Sequence, residues 1–94
     1  MFQKKKRIED KKLLKEVTGH KCCINRCFRK SVPCHVKSRG SGGDDVPENI
    51  IPMCGVHHTE QHTVGWNKFK ELHPEVVTWD VYKLRLIEMG AMDA

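Results

Sequence analysis

Two closely spaced pairs of metal-binding side chains occur in the sequence. Cys23 and Cys27 are separated by three residues, and Cys54 and His57 are separated by two. Thiolate and imidazole groups are the ligands that Zn²⁺ prefers, and two such pairs brought together make a tetrahedral site. The spacing therefore predicts a structural zinc ion. Cys22 could replace Cys23 in the first pair, and the sequence leaves that choice open.

A further pair of histidines could hold a second cation. His58 and His62 are four residues apart, so on a helix they would share a face and could bind one ion together. Metalloproteases instead use H-E-x-x-H, in which the acid directly follows the first histidine. Here Glu60 comes two positions after His58 and would lie nearly opposite the histidine face. The protease interpretation therefore fails.

The order of several motifs resembles a nuclease family. His35 precedes a glycine-rich loop, Asn49 follows that loop, and His58 comes nine residues after Asn49. Together with the cysteine pairs, "CHVKSRGSGGDDVPENIIPMC" and the closing "HHTEQH" resemble the HNH endonucleases, the ββα-metal or His-Me finger nucleases, over roughly residues 22–62. The resemblance implies an α+β fold, namely a ββα-metal finger with a structural zinc site and flanking helices. It also implies metal-dependent hydrolysis of DNA phosphodiester bonds that leaves 5′-phosphate and 3′-hydroxyl ends.

The resemblance also implies a role for each matching residue. His35 would be the general base that takes a proton from water, since histidine accepts protons near neutral pH. Asn49 would steady the loop that carries the base, or touch the metal as in some members. His58 would be a ligand of the catalytic cation (Mg²⁺, Mn²⁺, Ni²⁺ or Zn²⁺), and His62 an additional ligand. Such a cation stabilises negative charge on the phosphoryl and leaving oxygens.

The chain departs from the family at two positions. Cys34 stands where the family usually has Asp or His completing the catalytic metal site. A thiolate is a poor ligand for Mg²⁺ and a good one for softer cations. Cys34 is therefore expected to be a catalytic ligand with a changed metal preference, a helper of the structural zinc, or a bystander. His57 replaces the more frequent fourth cysteine, which zinc tolerates.

Charge suggests a nucleic-acid partner. The formal net charge is +5, but residues 1–40 carry thirteen Lys or Arg against three acids, and residues 41–94 carry four against nine. A basic half of this kind suits contact with phosphates, although a solvated basic tail would look the same. Lys37 and Arg39 flank the glycine-rich loop and are predicted to bind the DNA backbone. Asp44 or Asp45 is expected to brace that loop rather than bind metal.

The composition of the sequence indicates the cellular compartment. The five cysteines are an odd number, and "MFQKKKRIEDKK" has no apolar region of the kind found in signal peptides. No apolar run reaches membrane-spanning length. We therefore expect a reduced, cytoplasmic protein, in which cysteine clusters bind metal more often than each other. So small a member resembles those encoded by bacteriophages in a bacterial host, by analogy alone.

The elements expected to position these residues form one small domain. Residues 1–18 are predicted to be a basic helical or flexible arm, residues 19–94 the nuclease domain, and 63–94 its helical extension. "SVPCHVKS" and "IIPM" favour two strands, and residues 56–72 favour a helix that Gly65 weakens by roughly 1 kcal/mol.

A last helix is predicted to follow. Thr78 would cap its N-terminus and Gly90 would end it. Its spacing predicts core positions for Trp79, Tyr82, Leu86 and Met89.

A rival interpretation needs no catalysis. A zinc-stabilised nucleic-acid-binding module would explain the cysteine pairs and the basic half, but it does not explain His35, Asn49, His58 and His62 in register. A zinc-held adaptor in a phage complex is compatible with the acidic C-terminal half. The sequence does not indicate whether the target is DNA or RNA. It also does not indicate whether the protein is a monomer or a homodimer.

Overall fold

The glycine-rich loop joins two short strands that pair with each other. In the computed structural model, which describes residues 7–93, β1 (Val32–His35) and β2 (Ile50–Met53) form a two-stranded antiparallel sheet. The register pairs His35 with Ile50 and Val32 with Met53. All of β2 is buried, so both faces of this strand lie inside the fold. Both predicted strands are confirmed.

The helix after β2 is α2 (Gly55–Leu72), close to the predicted range. Cys54 is its N-cap residue. Gly65 interrupts the helix with φ of 81° and ψ of 162°, a left-handed conformation that glycine adopts without steric cost. Beyond this break, Phe69 is fully buried and the indole N–H of Trp66 donates to the carbonyl of Val36 at 3.2 Å. The second half of α2 therefore turns back onto the residue that follows β1.

The N-terminal helix, α1 (Lys11–Val17), belongs to the core. Asp10 caps it by accepting a hydrogen bond from the Leu13 N–H at 3.0 Å. Leu13 and Val17 are buried and pack with Ile50 and Trp79. Of the two alternatives predicted for residues 1–18, a helical or a flexible arm, residues 11–17 are helical, and the apolar face of α1 packs against β2 and the last helix. Residues 1–6 of that predicted arm lie outside the described residues.

The last helix, α3 (Trp79–Glu88), begins after Thr78 as predicted. Trp79 is buried, and Tyr82 and Leu86 pack against the core. Met89 is 76 % exposed, so its predicted core position is wrong. The helix has ended by Met89, and Gly90 turns the chain with φ of 74°.

The fold is a small α+β arrangement in the order α1, β1, β2, α2, α3. Within the described residues, none of these helices has the length and apolar content needed to cross a membrane.

Candidate functional site

Four metal-binding side chains meet at the base of α2. Cys22, Cys27, Cys54 and His57 each offer one ligand atom, and these atoms all lie within 4.8 Å of one another. The Sγ atoms of Cys27 and Cys54 are 3.7 Å apart. The Nδ1 atom of His57 lies 3.2 Å from the Sγ of Cys54 and 3.6 Å from the Sγ of Cys22.

These separations fit a tetrahedral zinc ion. With Zn–S of about 2.3 Å and Zn–N of about 2.0–2.1 Å, tetrahedral angles place two sulfurs about 3.8 Å apart and a sulfur and a nitrogen about 3.5 Å apart. The observed S–S distance of 3.7 Å and the S–N distances of 3.2 and 3.6 Å lie close to those values. The donor set, three thiolates and one imidazole, is also one that structural zinc sites use. The group could therefore hold a zinc ion.

Cys22, and not Cys23, joins the group. Both thiols are buried, but the backbone N–H of Cys22 donates to the carbonyl of Arg29 at 2.9 Å, which closes a turn around Cys27. The N–H of Cys23 donates instead to the carbonyl of Pro52 at 2.9 Å, and Cys23 is not among the four residues whose ligand atoms cluster. The predicted ligand Cys23 is therefore replaced by its neighbour, while the predicted Cys27, Cys54 and His57 are brought together.

Local structure at the start of α2 positions Cys54 and His57. Cys54 ends β2 and caps α2, where its Sγ accepts a hydrogen bond from the His57 N–H at 3.5 Å. Burial raises the pKa of the Cys22 thiol to about 12, so the thiolate form there needs a bound cation to stabilise it. Burial lowers the pKa of His57, which favours the neutral imidazole that binds metal.

His58 and His62 form a second, separate pair on α2. Their Nε2 atoms are 2.9 Å apart, and their rings face each other at 4.6 Å between centroids. Two nitrogens about 2.1 Å from one ion and at right angles would lie about 3.0 Å apart, close to the observed separation, so the pair could chelate a cation. Burial, the neighbouring His62 and the charge of His35 together lower the pKa of His58.

His35 is bound to a carboxylate that the sequence did not single out for this role. Its Nε2 lies 2.7 Å from the Oδ1 of Asp45, which is only 3 % exposed. The same carboxylate accepts from the Arg7 guanidinium at 3.2 Å and from the Asp10 N–H at 2.9 Å. Burial alone would raise the pKa of Asp45, but the Asp10 N–H, His35 and Arg7 outweigh it and hold that pKa below its usual range.

The side chain of Asn49 connects the two ends of the glycine-rich loop that follows β1. Its Oδ1 accepts from the Lys37 N–H at 2.8 Å, and its Nδ2 donates to the carbonyls of Lys37 at 3.1 Å and Asp44 at 2.9 Å. The loop passes so close to itself that a Cβ at Gly43 would lie 1.8 Å from the carbonyl oxygen of Lys37. Asn49 therefore braces the segment that directly follows His35.

The tentative catalytic ligand Cys34 lies in the apolar core. It is fully buried, and its Sγ contacts the carbonyls of Val32 at 3.6 Å and Met53 at 3.8 Å. Successive residues of a strand point to opposite faces, so Cys34 faces inward while His35 meets Asp45. Burial raises the pKa of its thiol to about 12. Cys34 packs beside the Cys22–Cys27–Cys54–His57 group without joining it, a position that favours the bystander alternative over a ligand role.

The two loop cations are exposed. Lys37 follows β1, and Arg39 begins a short 3₁₀ turn, Arg39–Ser41.

Sequence reasoning missed Asp45 as the partner of His35, and missed Arg7. The adjacent pair Asp44–Asp45 after the glycines was a signal from which Asp45 could have been found. No feature of the sequence around Arg7 indicated its role.

No protein-family model, curated protein or solved structure matches this chain.

Proposed function

We propose that this chain is a small metal-dependent endonuclease of the HNH type that hydrolyses DNA phosphodiester bonds. The proposal rests on one arrangement: a carboxylate-bound histidine, His35, ends β1, and the His58–His62 pair lies on α2 of the same ββα unit. The resemblance of residues 22–62 to that family supports it, as does the bracing of the intervening loop by Asn49.

His35 is suited to accept a proton from water. Asp45 is ionised at neutral pH because its pKa is held low, so it accepts a hydrogen bond and the Nε2 atom of His35 carries the proton. The Nδ1 atom then keeps its lone pair for a water molecule. As that proton moves to Nδ1, the water oxygen forms a bond to phosphorus and the bond to the 3′ oxygen breaks. The departing 3′ oxygen takes a proton from solvent, which gives 5′-phosphate and 3′-hydroxyl ends.

The cation that this chemistry needs would be held by His58 and His62. When bound, it would supply positive charge beside the phosphoryl oxygens and the leaving oxygen. Two imidazoles favour borderline metals such as Zn²⁺ and Ni²⁺ over Mg²⁺. The lowered pKa of His58 keeps its imidazole neutral and ready to bind a metal. Lys37 and Arg39, exposed on the loop, would bind backbone phosphates beside the scissile bond.

A second candidate function is a zinc-stabilised nucleic-acid-binding module without catalysis. The fit of the Cys22–Cys27–Cys54–His57 group to a zinc ion favours it, because that group stabilises the fold whether or not His35 reacts.

Conversion of supercoiled plasmid to nicked circles distinguishes the endonuclease from the non-catalytic module. Protein carrying one zinc per chain is incubated with plasmid and Mg²⁺, Mn²⁺, Ni²⁺ or added Zn²⁺. We expect nicking, strongest with the borderline metals, and a loss of at least about tenfold in His58→Ala and His62→Ala. Thr63→Ala, an exposed change on the same helix, is the matched control and should retain full activity. A zinc-loaded protein that binds plasmid and leaves it intact with all four cations would establish the non-catalytic module instead.

A further inference from the structure

The turn over residues 21–30 carries an aromatic ring in an exposed position. Phe28 is 84 % exposed, whereas every other Phe, Trp or Tyr within residues 7–93 is buried or half-buried. The ring is not on a frayed end. Cys27 beside it belongs to the metal-binding group, and the turn is closed by the Cys22–Arg29 hydrogen bond at 2.9 Å and a bridge between Lys21 and Lys30.

Cationic side chains surround the ring. The Nζ atom of Lys21 lies 5.5 Å from the centroid of the Phe28 ring. Arg26 and Arg29 line an open cleft of about 580 Å³ together with Phe28, Asn25, Cys27 and His57. This volume lies within the range of ligand sites, roughly 300–1,000 Å³.

Acidic side chains are scarce around this turn. The sequence has no Asp or Glu between residues 17 and 43. Across the fold, Glu75 approaches and accepts a hydrogen bond from the Asn25 N–H at 3.0 Å. Three thiolates around a dication would add one negative charge, which the four cations Lys21, Arg26, Arg29 and Lys30 exceed.

We propose that Phe28 and its surrounding cations form a binding site for an unpaired nucleotide in a DNA or RNA strand. An exposed aromatic ring stacks on any base, and neighbouring Lys and Arg bind the phosphates on either side. In a duplex the base faces are already stacked on one another, so the site selects single strands or frayed ends. A single ring among four cations offers too little contiguous apolar surface for a hydrophobic protein partner, and its charge favours a polyanion.

The cleft beside Phe28 is lined by neither His58 nor His62, and this proposal does not rest on the proposed hydrolysis. Binding can be measured without added divalent cations on zinc-loaded protein, where no cleavage is expected. Failure of plasmid nicking and failure of this site are therefore distinguishable results.

Fluorescence anisotropy with a labelled 12-nucleotide oligo(dT), its RNA counterpart oligo(U), and a 12-base-pair duplex tests the proposal. Aromatic stacking contributes about 1–3 kcal/mol per base, so Phe28→Ala should weaken binding of oligo(dT) or oligo(U) about 5- to 150-fold. Duplex affinity should change less than twofold. Phe28→Trp should restore binding, and Arg26→Gln should lower the salt slope by about 0.7. Leu84→Ala, at a 60 % exposed position on α3, is the control and should have no effect.

Zinc content measured on each variant shows that the turn is intact. Zinc-loaded Phe28→Ala protein that binds both single strands as tightly as the unaltered chain would overturn the proposal. An equal loss for duplex and single strands would overturn it too, because stacking on an unpaired base would not then be the source of affinity. Competition by an acidic peptide as effective as oligo(dT) would show that charge alone is recognised, and this result would also contradict the proposal.

Discussion

Replacing Cys22 by serine should weaken zinc binding strongly, whereas the same change at Cys23 should not. The two residues are adjacent, both thiols are buried, and each change replaces one sulfur by one oxygen. Only the Sγ of Cys22 lies with those of Cys27 and Cys54 in the metal-binding group. The pair of variants therefore separates ligation from burial.

The expected difference is large. Structural zinc sites bind with an apparent free energy of about 10–16 kcal/mol near neutral pH, and this energy is also folding energy. One ligand of four accounts for about 2.5–4 kcal/mol, so Cys22→Ser should lose zinc affinity roughly 70- to 900-fold. Cys23→Ser instead buries a hydroxyl in the apolar core, at a cost of about 1–3 kcal/mol in stability, and should keep its zinc.

Competition against a chromophoric zinc chelator gives the affinity, and thermal melting with and without zinc gives the stability. Cys22→Ser should gain less stability from zinc than the unaltered chain, because its zinc affinity is lower. Cys23→Ser should gain as much as the unaltered chain. Unchanged zinc affinity in Cys22→Ser, together with weakened affinity in Cys23→Ser, would refute the ligand assignment.

Two other predictions concern the loop beside His35. The pKa of Asp45 is depressed in the folded chain, so its stabilising contribution is present above the unfolded pKa of about 4 and is lost as pH falls through the folded value. Asp45→Asn should therefore be less stable at pH 7, and the gap in chemical-denaturation free energy should narrow below pH 4; a constant gap would contradict the ionic role. Gly43→Ala should lose about 2 kcal/mol or more of stability, since its Cβ would overlap the Lys37 carbonyl at 1.8 Å, whereas Gly40→Ala, with open space around it, should be nearly neutral in thermal melts. Equal melting temperatures for the two glycine variants would contradict the predicted overlap at residue 43.

Local patterns predicted the elements better than the boundaries between them. The β-branched and apolar runs around the glycine-rich loop correctly indicated two strands, and His58 and His62 do share a face of α2. Short-range spacing suffices for such features, because strands and helices repeat every two or 3.6 residues. The exposure of Met89 did not follow from its helical spacing, because that spacing shows which residues share a face of α3 but not how far the core extends along it.

Choices between neighbouring residues depended on distant parts of the chain. Cys22 rather than Cys23 enters the metal-binding group because the Arg29 carbonyl and Pro52 fix the direction of each backbone. Asp45 reaches His35 only once Arg7 and Asp10, more than thirty residues earlier, pair with the same carboxylate. Such contacts join residues far apart in sequence, so no spacing within a motif encodes them.

The nicking rate of His35→Ala at unchanged zinc content tests the central claim most directly. Unaltered protein and variant, each with one zinc per chain and equal thermal stability, are compared on supercoiled plasmid with the most effective divalent cation. A general base contributes about 10²- to 10⁴-fold, so the variant should be slower by at least about 100-fold while it binds plasmid normally. A zinc-loaded His35→Ala protein that nicks within a few-fold of the unaltered rate would contradict the assignment of His35 as the base.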